Sequence, residues 1–264
     1  MYDWRDGQTD AATPAGRAQV LGCSVDRVRL ADAVDLVSRW VDDPSKPRLA
    51  VAINAAKAER MRRDASLRVM VAKADLVFAD GVGVVWASRA AQDPLPERVA
   101  GVDLCTALLR RTARRGWRPY LLGGSPTVSV ALRQRLVGWG VDIAGSRHGF
   151  WPTLGEAEVV ADIANARPDL LFVALGSPRQ EAFLLRWRDT LAVPFAMGVG
   201  GSFDVLAGRV VRAPRAVRER GLEWAWRLSG DPRRVVDRRT LDAARYALRI
   251  GRLKLRSLRY SASF

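Results

Sequence analysis

A single His and two Cys are the only imidazole and thiol groups in this 264-residue chain. Tetrahedral zinc sites draw their ligands largely from those two residue types, so zinc hydrolysis is excluded and no metal site is expected. Cys23 and Cys105 lie far apart within apolar surroundings. That placement predicts buried free thiols rather than a disulfide framework and fits a reducing cytoplasm. Long apolar runs are missing too. The longest, residues 170–175 and 191–199, fall well short of the roughly 20 residues that a membrane-spanning helix needs. Residues 1–17 mix Asp, Gly, Thr, Pro and Arg without an apolar core, unlike a secretory signal; residues 1–18 are expected to be a disordered leader. No Gly-Lys-Ser/Thr phosphate loop occurs, and Gly81-Val82-Gly83-Val84-Val85-Trp86 lacks the third Gly of the dinucleotide fingerprint. ATP and NAD chemistry lose support accordingly.

What the chain has in excess is positive charge, a formal +15, concentrated late in the sequence. Residues 205–264 hold sixteen Lys or Arg against five Asp or Glu. Such a block attracts polyanions, either nucleic acid or the anionic face of a membrane, and charge alone does not choose between them. Upstream, short apolar runs at residues 49–53, 76–79, 120–122, 170–175 and 195–199 alternate with amphipathic stretches at 103–114, 127–137 and 156–166. This alternation predicts an α/β, Rossmann-like, mostly parallel sheet with flanking helices. Residues 20–42 combine a strand with an amphipathic helix and are expected to cover one edge of the sheet. The domain reading is a leader over 1–18, a catalytic domain over 19–208 and a basic, amphipathic helical appendage over 209–264.

Four of the strands run directly into small polar loops: Asp80-Gly81-Val82-Gly83, Gly123-Gly124-Ser125-Pro126, Gly176-Ser177-Pro178-Arg179-Gln180 and Gly198-Val199-Gly200-Gly201-Ser202. In open α/β sheets ligands bind at the carboxyl ends of the strands. Glycine admits a ligand close to the backbone, and helix N-termini offer free amides to a diphosphate. A nucleotide-like ligand suits this edge. Each loop taken alone is equally well explained as a tight strand-to-helix turn.

The blocks Ala79-Asp80-Gly81-Val82-Gly83-Val84, Pro96-Glu97-Arg98-Val99-Ala100-Gly101-Val102-Asp103-Leu104 and Leu121-Leu122-Gly123-Gly124 follow one another in order. After them come Ala174-Leu175-Gly176-Ser177-Pro178-Arg179-Gln180-Glu181, Gly198-Val199-Gly200-Gly201-Ser202-Phe203-Asp204, and Arg212-Ala213-Pro214 through Gly221-Leu222-Glu223-Trp224 to Pro232-Arg233-Arg234. Together they resemble the WecG/TagA/CpsF family of bacterial glycosyltransferases, over roughly residues 20 to 240. The resemblance implies a GT-E type of Rossmann-like core. It implies transfer of a sugar, N-acetylmannosamine being the best-known, from a UDP donor to an undecaprenyl-diphosphate-linked saccharide. The implied setting is the cytoplasmic face of the plasma membrane, with the UDP-sugar as co-substrate and no separate cofactor. It also implies Asp80 as catalytic base, with Asn54, Arg98 and Gln180 as binding residues. Arg227 and Arg234, with Arg238 placed less securely, are implied to close over the donor diphosphate. Where that family usually carries Thr, this chain has Ala52, so a hydroxyl expected at the ligand is missing, which leaves donor and acceptor identity open.

Chemistry read from the residues points the same way. A sugar hydroxyl is a poor nucleophile at neutral pH, and a carboxylate such as Asp80 that removes its proton lowers the barrier. Asp204 is the second-ranked carboxylate, and Asp80 would alternatively cap a helix or brace a turn. No Asp-x-Asp occurs, so a metal-independent reaction is expected, with Arg98, Arg227 and Arg234 meeting the charge that develops on the diphosphate; as a single displacement it is expected to invert the anomeric centre. Gly123, Gly124, Gly200 and Gly201 join the expected binding set. Asn54 and Gln180 suit sugar or uracil recognition, or else satisfy loop backbone. His148 reads as a polar residue in a turn over 145–149. Trp224, Trp226, Leu222 and Leu228 interleave with Arg218, Arg227, Arg233 and Arg234, a pattern suited either to a lipid headgroup surface or to a core-packing helix with a charged outer face. The expected partners are therefore a nucleotide-sugar donor, a polyprenyl-diphosphate-linked acceptor and an anionic membrane, with homo-oligomerisation open and no nucleic acid. Two rivals remain: a nucleic-acid-binding protein that uses the basic tail, and an enzyme that modifies a sugar nucleotide without transferring it.

Overall fold

A computed structural model describes residues 16–151, 155–219, 226 and 238–261. Six strands form one parallel sheet: β3 (Arg48–Ile53), β4 (Leu76–Ala79), β5 (Pro119–Gly123), β6 (Gly145–Arg147), β7 (Leu170–Ala174) and β8 (Phe195–Gly198). Their spatial order is β4-β3-β8-β7-β5-β6. All but β6 are apolar runs because both faces of the sheet are covered, which removes the alternation of a half-exposed strand. In β3 the residues divide by parity: Ala50 and Ala52 join one core cluster, while Val51 and Ile53 join another across the sheet.

The first face carries α1 (Leu30–Asp42), α5 (Gly101–Arg115), α6 (Pro126–Val137) and α10 (Ser202–Leu206). Opposite β3 and β4 lie α2 (Ala55–Met61), α3 (Ala65–Ala72) and α4 (Val82–Ala90). Opposite β5 and β7 lie α7 (Glu156–Ala166), α8 (Arg179–Arg186) and α9 (Arg188–Leu191). Local chemistry sets several helix starts. Asn54, Asp64 and Ser125 each accept a hydrogen bond from the backbone N–H three residues on, at 2.9, 2.9 and 3.3 Å, satisfying a donor that the first turn leaves over. Gly116, at φ 70°, closes α5 in the left-handed conformation.

The strands and helices expected at 49–53, 76–79, 120–122, 156–166, 170–175 and 195–199 fall on observed elements within one residue. Expectations in two regions need correction. First, the chain before α1 forms an antiparallel hairpin, β1 (Arg17–Val20) with β2 (Cys23–Asp26), so ordered structure begins inside the range assigned to a leader; residues 1–15 lie outside the described residues. The hairpin does cover the β4 edge, where the Asp26 carboxylate accepts the Val77 N–H at 2.7 Å in place of a further strand. α1, however, packs on a face rather than an edge, because its Val34, Val37 and Val41 stripe meets the α5 and β8 core. Second, residues 145–147 are a strand, not part of a turn. A side chain on Gly145 would stand 2.4 Å from the Tyr120 ring, so packing fixes glycine there and hides the strand from apolar pattern. The described end of the appendage is one helix, α12 (Arg238–Ser261), and its inner face packs into the core. Tyr246 is buried among the α2, α4 and hairpin side chains, and the Arg249 guanidinium pairs with the buried Glu59 carboxylate at 2.9 Å. A further ion pair joins Arg63 to Asp242. Between α10 and α12 lies the short α11 (Arg215–Glu219). Cys23 and Cys105 are free and buried, as the sequence predicts. No helix of the described residues is long and apolar enough to cross a membrane.

Candidate active site at the carboxyl edge of the sheet

Chains leave the carboxyl ends of neighbouring strands toward opposite faces. β3 and β7 lead into α2 and α8 on one face, whereas β8 between them leads into α10 on the other. Divergence of this kind opens a crevice above the central strand, where α/β sheets bind ligands. Asn54, Asp80, Arg98, Gly123, Gly124, Gln180, Gly200, Gly201 and Asp204 all sit on this edge, just beyond β3, β4, β5, β7 and β8 or in the segment after them. Arg227 and Arg234 lie outside the described residues, and Arg238 opens α12.

Asp80 follows the last residue of β4, and its N–H donates to the Ile53 carbonyl at 2.7 Å, extending strand pairing one residue further. Its carboxylate is turned toward the start of α5: Oδ2 lies 3.6 Å from the point where a Gly101 side chain would begin. The positive end of a 15-residue helix favours an anion there. Gly81, at φ 125°, turns the chain directly after Asp80 and holds the N-cap position of α4. Arg98 is brought to the same strand end because the next residue, Val99, donates its N–H to the Ala79 carbonyl at 2.9 Å. Asn54 borders the turn from the β3 side, with its Cβ 3.8 Å from a side-chain position on Gly81. Its Oδ1 is taken by the Lys57 N–H at 2.9 Å. The Ala52 methyl faces the same Gly101 position at 3.9 Å, so the hydroxyl that Thr would supply is missing from the side of the site nearest Asp80.

Around β8 the geometry is tighter. Gln180 is buried; its Oε1 accepts the Gly200 N–H at 3.2 Å and its Nε2 donates to Glu181 at 3.1 Å. Gln180 thus fastens α8 to the Gly200 turn, satisfying loop backbone. Gly123 and Gly124 have φ of 119° and 72°. A side chain on Gly123 would meet the Ala174 carbonyl oxygen at 2.4 Å, so this glycine is required by the close approach of β5 to β7. Asp204 stands in α10 with Oδ2 3.8 Å from a side-chain position on Gly201. His148 follows β6 and its Nδ1 accepts the Phe150 N–H at 3.3 Å.

Two features of this edge are not evident in the sequence. The first is a buried ion pair: Lys57 Nζ lies 2.7 Å from Glu181 Oε1, with the side chains only 8% and 2% exposed. Burial is the largest single influence on Glu181 and pushes its pKa up, but the Lys57 charge and hydrogen bond, with Ser177 and Gln180, outweigh it and hold the carboxyl below the ordinary range. The pair ties α2 to α8 across the end of β8, joining the helices that carry Asn54 and Gln180. Glu181 stands within a family-like motif, but nothing in the spacing names a partner 124 residues away. The second is Phe150, 70% exposed beside Gly149, whose N–H donates to the Gly124 carbonyl at 2.9 Å. An aromatic face in the open at a binding edge is unusual enough to suggest stacking.

Among the described residues no three His, Cys, Asp or Glu side chains gather as a metal site. The arrangement offers a carboxylate at a helix N-terminus, with Asn54 and the chain at Arg98 brought to the same strand ends, and glycine turns across the crevice. Such an edge can bind a phosphorylated ligand and take a proton from a hydroxyl. A comparison with protein families agrees: the family model described as Glycosyl transferase WecG/TagA/CpsF family matches residues 18–260.

Proposed function

The chain belongs to the WecG/TagA/CpsF family of glycosyltransferases, and on that premise we propose that it moves a hexose, N-acetylmannosamine or a relative, from a UDP-sugar to an undecaprenyl-diphosphate-linked saccharide in cell-surface polysaccharide biosynthesis. The observation that carries the mechanism is the Asp80 carboxylate, held beyond β4 and turned to the α5 N-terminus beside Asn54 and Arg98. In one displacement an acceptor hydroxyl oxygen bonds to the anomeric carbon while the bond from that carbon to the diphosphate oxygen breaks. The hydroxyl proton goes to Asp80, UDP departs with the electron pair, and the anomeric centre inverts. Charge building on the diphosphate is met by Arg98 and by Arg227 and Arg234, without a metal ion. The Gly200-Gly201 turn admits the diphosphate, and Phe150 offers a face for the base. The single methyl of Ala52 leaves room and removes a hydrogen bond close to Asp80, which favours a donor or acceptor different from the commonest family substrate.

The setting we propose is peripheral, on the inner face of the plasma membrane. Leu241 and Leu248 are 48% and 66% exposed on α12, on the side that carries Arg245 and Arg252. Apolar side chains set among guanidinium groups suit an anionic headgroup layer. Purified protein incubated with a UDP-sugar panel and a short-chain diphosphate-linked N-acetylglucosamine acceptor, with and without EDTA, tests the reaction by mass spectrometry. A glycosylated lipid formed despite EDTA and reduced at least about 100-fold in Asp80→Asn is the expected outcome. UDP-sugar consumed without any lipid product would replace transfer by sugar-nucleotide modification. Retention on RNA in moderate salt, with silence across the donor panel, would replace it by nucleic-acid binding.

A further inference from the structure

Two of the ordered sequence blocks are left without a role by the reaction above: Gly101-Val102-Asp103 at the start of α5 and Arg212-Ala213-Pro214 beyond α10. The structure joins them. Arg212 Nη1 and Nη2 meet Asp103 Oδ1 and Oδ2 at 2.5 and 2.7 Å, a two-pronged geometry that Lys cannot reproduce. We propose that Asp103 and Arg212 are positioning residues, whose fork sets the first turn of α5, and with it the surroundings of Asp80, against the segment after β8 that carries Gly200, Gly201 and Asp204. The inference rests on the transferase reading for its consequence, though not for the fork itself.

Two surfaces that must act on one substrate are built from strands lying two places apart in the sheet, β4 and β8, with β3 between them. The Asp80 wall is α5, whose first residue, Gly101, faces the carboxylate, and Asp103 stands two residues on in the same turn. The other wall is α10 together with the chain from Ala207 to Ala213. The Asp204 carbonyl accepts the N–H groups of Arg209 and Val210 at 2.9 and 3.1 Å, and Ala213 is buried, so the chain is firm on both sides of Arg212. The fork is thus a rigid strut between two fixed points rather than a loose surface pair. A shift of about 1 Å between catalytic group and bound substrate is enough to slow a reaction severely. The side chains are 21% and 32% exposed, shielded enough to hold one geometry.

The test compares Arg212→Met, Asp103→Asn, Arg212→Lys and the exchanged pair Asp103→Arg with Arg212→Asp. Hydrogen exchange without substrate reads the strut. Residues 101–106 and 204–213 should lose protection in the first two variants and recover part of it in the exchanged pair. Steady-state kinetics reads its consequence: kcat falls roughly tenfold with donor KM nearly unchanged, and Arg212→Lys, which keeps the charge but loses the fork, falls between. Unchanged exchange in both single variants would overturn the proposal, as would a fall in kcat that merely follows the folded fraction measured by thermal melting. Absence of sugar transfer by the wild-type protein, with the exchange losses still present in the variants, would overturn the transferase reading and leave the strut in place.

Discussion

The carboxyl edge has a closed side and an open side, and its glycines tell them apart. Toward β5, β7 and β8, a side chain on Gly123 would meet the Ala174 carbonyl oxygen at 2.4 Å, and one on Gly198 the Gln180 amide at 2.5 Å. Toward β3 and β4, side-chain positions on Gly81, Gly83 and Gly101 meet nothing nearer than 3.6 Å, an ordinary contact distance. Gly123 and Gly198 are fixed by packing, whereas Gly81, Gly83 and Gly101 would accept a methyl at contact distance, as would Gly200 and Gly201. A glycine-rich loop therefore does not by itself mark where a ligand goes. The β3 and β4 turns tolerate a methyl beside Asp80, whereas β5 and β8 are held against their neighbours at Gly123 and Gly198.

The sharpest test of that contrast is the brace itself. Lys57→Met leaves the Glu181 carboxylate buried and uncompensated, and should cost about 3–5 kcal/mol in urea denaturation, much of it recovered when Glu181 is also replaced by Met. The same pair sets an acid limit. Because the folded Glu181 carboxyl titrates below its ordinary value near 4.5, its contribution is complete above that value and is lost as pH falls through the lowered folded one. An unfolding midpoint that does not decline there, or that declines equally in the Met pair, would remove Glu181 from the acid response. Next in size is Gly123→Ala, which forces a methyl into a backbone carbonyl at φ 119° and should cost roughly 2–4 kcal/mol. Gly101→Ala on the open side should change stability by under about 1 kcal/mol, yet slow the reaction because its methyl stands 3.6 Å from the Asp80 carboxylate. Equal stability losses for the two glycines would break the comparison. The smallest effect belongs to the thiols. Burial lifts Cys23 to about 11, and Cys105, wholly enclosed, is raised further still. At pH 8 only about one Cys23 thiol in a thousand is then ionised, and neither should react with a disulfide reagent until the protein unfolds.

Strands buried on both faces announce themselves as apolar runs, which is why β3, β4, β5, β7 and β8 were legible within a residue of their ends. β6 was not, since Tyr120 demands glycine where a strand would otherwise show an apolar side chain. Residues at strand ends were legible as a group for a topological reason: a parallel sheet delivers every such loop to one edge. What each side chain does there was not. Gln180 and Asn54 are polar residues in ligand-facing motifs, yet the carbonyl oxygens of both side chains are engaged with backbone, because capping and loop-fastening use the same amide chemistry as ligand recognition. Pairs such as Lys57 with Glu181 and Asp103 with Arg212 depend on contacts across more than a hundred residues, for which sequence spacing holds no information. The amphipathic C-terminal pattern was ambiguous for another reason. α12 turns Tyr246 into the core and Leu248 outward, so one helix fits both the packing and the surface interpretation.

Strand order has a last consequence, for how the molecule comes to be folded. β8 is the last strand among the described residues, yet it lies inside the sheet, and β3 touches β7 only through it. Until residues 195–198 are available, the chain can assemble β3 with β4, and β7 with β5 and β6, but these are two separate ribbons with unpaired inner edges. A nascent chain therefore waits, with two aggregation-prone templates exposed, for a four-residue keystone made after the strands on either side of it. Folding should be slow for a protein of this size because that closing contact spans most of the sequence, and a chaperone that shields the β3 and β7 edges during the wait should raise the yield of active protein.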